Sequence, residues 1–201
     1  MSPKAAYHHG HLREALVQAA LAAVAEGGVE SVSMADAARR AGVTAAAPYR
    51  HFASRQALLL ATAIETARAL DLRLSAAARA GEDPVELLAA AAAAYTAFYL
   101  ERGAGLDLIF LPELRALGDA ELADAGRRVM DGVLPAAREV AAGAEEAIVL
   151  LEQVFAIAHG YARLHDVALS TRRLTTASAV ADAAADAVRL VAARTAQLAQ
   201  A

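Results

Sequence analysis

Ser33-Met34-Ala35-Asp36-Ala37-Ala38-Arg39-Arg40-Ala41-Gly42-Val43-Thr44-Ala45-Ala46-Ala47-Pro48-Tyr49-Arg50-His51-Phe52 decides how this chain folds. Ser33 stands before a run of helix formers with Asp36 three residues on, the spacing of a capping box in which hydroxyl and carboxylate each take a free backbone N–H. Gly42 suits the left-handed conformation that ends a helix. Thr44 opens a third, short helix expected to reach about His51. Two short helices on a glycine turn form a helix-turn-helix, whose second helix fits the DNA major groove. Thr44, Ala45 and Ala46 lie at its leading end, where unpaired N–H groups and the positive dipole attract phosphate and small side chains permit close approach. Tyr49, Arg50 and His51 follow and can donate to phosphates or base edges. Pro48, at the fourth helical position, removes the N–H that would bond back to Thr44, so the helix should start late or tighten there. On spacing alone, the segment also fits an ordinary helical hairpin with Tyr49 and Phe52 in a core.

Upstream, a helix is expected from His11 to Glu26, with Leu12, Leu16, Ala19, Ala20 and Ala23 on one stripe and Gly27-Gly28 as its stop. Downstream, Ser54 caps a long helix carrying Leu60, Ile64, Ala67 and Leu74. Asp83-Pro84 starts another, since proline at the first helical position sacrifices no bond. Further helices are expected over Asp119 to Ala142 (bent at Gly132 and Pro135), Ala144 to Val167 and Thr175 to Gln197. Leu106 to Leu111 is a short apolar segment before Pro112. The fold class is therefore all-α, with about nine helices. The expected division is a helix-turn-helix domain over residues 1–56, its motif at 33–52, and a helical domain over 57–201.

Composition agrees. Alanine supplies 59 of 201 residues and aromatics only 4%, which favours helices and disfavours aromatic-rich sheets. No cysteine is present, which excludes disulfides and thiol chemistry. The apolar run Leu87 to Leu100 is bracketed by Glu86 and Glu101 and is short for a membrane span, and no signal peptide is visible, so a soluble cytoplasmic protein without membrane association is expected. The net charge is −4, yet residues 1–60 hold six Lys/Arg against four Asp/Glu, and four of the six His. A positive end on an acidic body is compatible with DNA binding through that end. Tyr7-His8-His9-Gly10-His11 lacks fixed geometry and a carboxylate partner, so it reads as an arm or cap near phosphate rather than a metal site. No metal and no cofactor are expected.

Arg13 to about Leu60 resembles the DNA-binding domain of the TetR family. The likeness lies in the Gly27-Gly28 break, the Ser33 cap, Ala37-Ala38-Arg39-Arg40-Ala41-Gly42-Val43 and, most specifically, Tyr49-Arg50-His51-Phe52-Ala53-Ser54-Arg55-Gln56-Ala57-Leu58. The resemblance implies phosphate contacts from Thr44, Tyr49, His51 and Arg55, base contacts from Ala45, Ala46 and Arg50, and a core role for Phe52. It implies a repressor that binds a near-palindromic double-stranded operator as a homodimer and is released by a small-molecule effector. Ala158-His159-Gly160 is similar to the Trp-His-Gly signature of one branch of the family, with Ala in place of Trp.

The last two helices are apolar on more than one face, and their alanines permit close packing. A four-helix dimer interface is therefore expected from Ala158, Ala162, Val180, Ala184, Ala187 and Val191, an arrangement the family also has. Tyr95, Phe98, Tyr99, Phe110, Met130, Phe155 and His159 are the bulky or polar side chains among many alanines, and as a group they are the expected lining of a pocket for an apolar or amphipathic ligand. Two other readings stay open: a helical interaction module without DNA binding, and an enzyme. No nucleophile–base pair stands at useful spacing, so an enzyme is not expected.

Overall fold

The computed structural model describes residues 11–78, 83–102, 105–167 and 176–200. Its elements are α1 (Leu12–Gly27), α2 (Met34–Arg40), α3 (Arg55–Ala78), α4 (Pro84–Arg102), α5 (Asp107–Phe110), α6 (Pro112–Arg115), α7 (Ala120–Asp131), α8 (Leu134–Val140), α9 (Ala144–Asp166) and α10 (Ala177–Ala199), with two 3-10 turns at Val29–Ser31 and Pro48–Arg50. Among the described residues there is no strand. The all-α expectation holds.

Local chemistry accounts for most boundaries. Leu12, Leu16, Ala19, Ala20 and Ala23 of α1 are buried, the stripe expected of a helix docked on one face. The Ser33 hydroxyl accepts from the Asp36 amide at 3.1 Å, and Ser54 does the same for Ala57 at 3.2 Å. Thr176 caps α10 through the Ala179 amide at 3.1 Å. Asp83 accepts from the Val85 amide at 2.8 Å ahead of Pro84. The single bent helix expected over Asp119 to Ala142 is two helices, α7 and α8, separated at Gly132-Val133. Two successive interruptions, Gly132 and Pro135, end one helix and start the next rather than bend one.

The chain forms two compact units. The first comprises residues 1–65 and 104–119, the second 66–103 and 120–201. The division falls inside α3, between Glu65 and Thr66. In the first unit α1 packs on α2, and α2 on the Pro48–Arg50 turn. In the second, α4, α8, α9 and α10 pack on one another. Close approach there is permitted by Ala89, Ala92, Ala158, Ala162 and Ala184, each fully buried. By length and composition α9 would suffice to cross a membrane, but its Ala147, Leu150, Leu151, Val154, Ala158 and Ala162 are buried within this unit.

Candidate nucleic-acid interface and effector site

Ala41-Gly42-Val43 ends α2 as a Schellman motif. The Val43 amide donates to the Ala38 carbonyl at 3.0 Å and the Gly42 amide to Arg39 at 3.2 Å. Gly42 has φ of 70°, which an L side chain adopts only under strain. This turn delivers Thr44 to the surface.

The segment after it is not the α-helix expected from Thr44 to His51. Residues 44–47 form a turn closed by the Ala47 amide on the Thr44 carbonyl at 2.9 Å, and Pro48–Arg50 is a 3-10 turn. The cause is Pro48: without an N–H it cannot bond back to Thr44, and helical bonding resumes only at Arg50, on the Ala47 carbonyl at 3.2 Å. Pro48 and Phe52 are buried, while Thr44, Ala45, Ala46, Tyr49, Arg50 and His51 are exposed. Tyr49 is 59% exposed although its apolar ring would stabilise the fold if buried. Two buried anchors four residues apart thus hold an outward-facing set of donors and small side chains.

Phe52 is 4% exposed, the core position that the family resemblance implied. The Arg13 guanidinium lies over its ring, 5.4 Å from the centroid, joining the first turn of α1 to the end of the segment. Arg55, an expected phosphate contact, is engaged within the chain. Its Nε donates to the Val32 carbonyl at 2.8 Å and an Nη to the Val29 carbonyl at 2.6 Å, with the Glu30 carboxylate at 3.6 Å. The cation already serves the loop between α1 and α2.

Behind the motif, Arg40 bridges two helices. It donates to both Glu26 oxygens, at 2.8 and 2.6 Å, and to the Asp36 carboxylate through Nε. The second half of the expected capping box is therefore replaced: Asp36 turns to Arg39 and Arg40. The Arg39 guanidinium, then that of Arg40, holds the Asp36 carboxyl below its ordinary range, and Arg40 does the same for Glu26. Both carboxylates in turn raise the Arg40 pKa, by accepting its hydrogen bonds, Glu26 first and then Asp36. Sequence reasoning missed this clamp; the helical spacing of Asp36 and Arg40 was visible, the approach of Glu26 was not.

In the second unit, Tyr95 and Tyr99 of α4 face His159 and Arg163 of α9. The Tyr95 hydroxyl and His159 Nδ1 are 3.1 Å apart, and Arg163 donates to the Tyr99 hydroxyl at 2.7 Å. Phe155 meets Tyr95 edge-on at 5.6 Å, and the His159 ring stands edge-on to Tyr99 at 5.4 Å. The Thr96 hydroxyl bonds the Ala92 carbonyl at 2.8 Å and reaches the Ala158 carbonyl of α9 at 3.2 Å. Four expected pocket residues, Tyr95, Tyr99, Phe155 and His159, are thus brought together. Phe98 is buried on α4, where Arg102 covers its ring at 5.8 Å, and Met130 is half-buried on α7. Phe110 is 53% exposed and belongs to the first unit. Arg163 was missed, although Phe155, His159 and Arg163 repeat at four-residue intervals.

Ala158, Ala162, Val180 and Ala184 are fully buried within a single chain, and Ala187 and Val191 are half-buried. Small faces let α10 pack against α4 and α9 of its own chain, which consumes them. The exposed large apolar residues of these helices are Ile148, Val149 and Leu164 on α9 and Leu190 and Leu198 on α10.

Residues 16–62 match the model of the family described as bacterial regulatory proteins, tetR family. The HTH-type transcriptional regulator BetI of Agrobacterium fabrum (strain C58 / ATCC 33970) is 48% identical over 68 residues, 33% of this chain and 31% of that protein, so the match spans about a third of the curated relative. A protein of unknown function from Rhodococcus sp. RHA1 is 30% identical, with a TM-score of 0.76 over 94% of this chain and 98% of its own. AibR, solved with isovaleryl coenzyme A and operator DNA, shares the fold at 17% identity, with a TM-score of 0.66 over 88% of this chain and 97% of its own. Residues 16–62, which carry the Ser33 cap, the Gly42 turn and the exposed segment ending at Phe52, are thus similar to the tetR family of bacterial regulatory proteins.

Proposed function

We propose that the protein is a DNA-binding transcriptional regulator, a homodimeric repressor released from a near-palindromic operator by a small amphipathic molecule held in its second unit. The observation that carries this reading is the exposure of Thr44, Ala45, Ala46, Tyr49, Arg50 and His51 around the buried pair Pro48 and Phe52. A surface of hydroxyls, imidazole, guanidinium and backbone N–H groups with little bulk suits a polyanionic groove. In this reading Thr44, Tyr49 and His51 contact phosphates, while Ala45, Ala46 and Arg50 face base edges. Arg55 contributes by holding the loop rather than by touching DNA.

Two motifs about one DNA turn apart, ~35 Å, require two chains. The exposed apolar residues Ile148, Val149, Leu164, Leu190 and Leu198 support a dimer surface on the outer faces of α9 and α10. A ligand with different affinity for the two operator spacings weakens DNA binding, and DNA weakens ligand binding equally. That both ligand and DNA occupy the fold in AibR is compatible with this scheme. An electrophoretic shift on the protein's own upstream DNA tests it. Tyr49→Ala and His51→Ala should weaken binding on every sequence, and Arg50→Ala should relax sequence preference. A wild-type protein that leaves duplex unshifted at low salt would favour the interaction-module reading.

A further inference from the structure

We infer that Arg13, at the second position of α1, is a further contact to the phosphodiester backbone of DNA, seated for that role on the ring of Phe52; the inference rests on the DNA-binding reading above. Arg13, Arg39, Arg40, Arg50 and Arg55 are the arginines of residues 11–65. Three of them are consumed within the fold: Arg39 by Asp36, Arg40 by Glu26 and Asp36, Arg55 by the Val32 and Val29 carbonyls. Among the described residues, Arg13 and Arg50 have no carboxylate or carbonyl acceptor. Both are exposed, and both stand at Phe52. Arg50 precedes it by two residues, and the Arg13 guanidinium lies 5.4 Å from the centre of its ring. The acids are placed to match, with Glu26 and Asp36 on Arg40 and Glu30 beside Arg55. Even Glu14, next to Arg13 in sequence, turns to His11 Nδ1 at 3.2 Å. Positive charge is thus cancelled behind the motif and left uncancelled where the exposed segment ends.

The stability of α1 does not account for a cation at this position. The first turn of a helix carries the positive end of the macrodipole, which favours anions and opposes a guanidinium. An anion brought from outside would relieve that opposition, and a phosphate would meet dipole and guanidinium together. The aromatic face attracts the cation through the ring's own charge distribution and takes none of its N–H donors. Phe52 is packed in the core, so it holds Arg13 on a fixed element while the donors stay available. Their planar fork matches two oxygens of one phosphate. Arg13 lies on α1, outside the segment 44–51 that faces the groove in this reading, so the acceptor it meets is the flanking backbone rather than a base edge.

The test is titration of the intact protein against its own upstream duplex and an unrelated duplex of equal length, at salt concentrations from about 50 to 300 mM. Arg13→Gln should weaken binding about tenfold on both duplexes and lower the slope of log affinity against log salt by about 1 for each chain bound. Arg13→Lys should keep the slope, because a lysine still neutralises a phosphate. Arg39→Gln should keep it too, since that cation is already paired with Asp36. Phe52→Leu should weaken binding when Arg13 is present and not in the Arg13→Gln background, a coupling that loss of core packing alone would not show. A merely structural role for Arg13 would lower the thermal midpoint and leave the slope unchanged. An unchanged slope in Arg13→Gln, a loss confined to one duplex, or an equal slope loss in Arg39→Gln would overturn the assignment. A wild-type protein that binds duplex with a slope indifferent to Arg13 sinks this inference alone, whereas one that binds neither duplex sinks the regulator reading with it.

Discussion

The Arg55 guanidinium donates to the backbone carbonyl of Val32 at 2.8 Å, tying the first turn of α3 to the residue just before the Ser33 cap of α2. A second bond to the Val29 carbonyl at 2.6 Å closes the same loop. The bonds reach two carbonyls with fixed fork geometry, which a lysine cannot reproduce. Arg55→Lys should therefore lower stability by about 1 kcal/mol in denaturant titration, the modest loss expected for a part-exposed charged donor. Operator affinity should fall by a similar factor on all sequences without changing the salt slope. A reduced salt slope would return Arg55 to the phosphate-contacting set.

Arg40 links stability to pH. Glu26 and Asp36 have ordinary values of 4.5 and 3.8, and both are lowered in the folded chain by hydrogen bonds from Arg40 and, for Asp36, first from Arg39. A depressed folded value means stability that is fully present above the unfolded value and lost as pH falls through the folded one. Thermal midpoint should be flat above about pH 5 and fall progressively below it. Arg40→Gln should lower the plateau and flatten that acid limb, which a pH series of melts reads directly.

Pro48 sets the conformation of the exposed segment. Pro48→Ala restores an N–H four residues before Phe52 and lets the helix extend back toward Thr44. Carbon-13 chemical shifts of residues 44–50 should move toward α-helical values, and sequence preference should change more than overall affinity. Shifts unchanged from wild type would assign the 3-10 turn to tertiary packing instead.

Thr96 bridges two helices through one buried hydroxyl. Thr96→Val keeps the shape but leaves the Ala158 carbonyl without that donor, and should cost about 1 kcal/mol. An unchanged unfolding midpoint would make the contact to α9 energetically idle.

Two leucines and a valine separate the outer from the inner faces of the last helices. Leu190 is 75% exposed and Leu164 is 51% exposed, whereas Val180 is fully buried. Leu164→Glu with Leu190→Glu should give a folded monomer by sedimentation, with half-site DNA affinity only. Val180→Glu should prevent folding, because it places an unpaired charge in a packed core. A folded dimer from the double variant would relocate the interface.

What the residue string settled by itself was everything governed by short range. Ser33, Ser54 and the Gly42 turn act through bonds within a few residues, and the stripe Leu12, Leu16, Ala19, Ala20 and Ala23 follows from helical periodicity. Pro48 belongs here too, since a missing N–H is a covalent fact. Tertiary structure alone decided which small faces were used up within one chain, so that Val180 and Ala184 are buried and Leu190 is not. It alone brought Glu26 to Arg40 and Arg163 to Tyr99, pairs 14 and 64 residues apart. The reason is the same in each case: an alanine face states that another helix can approach closely, but nothing in it says which helix comes.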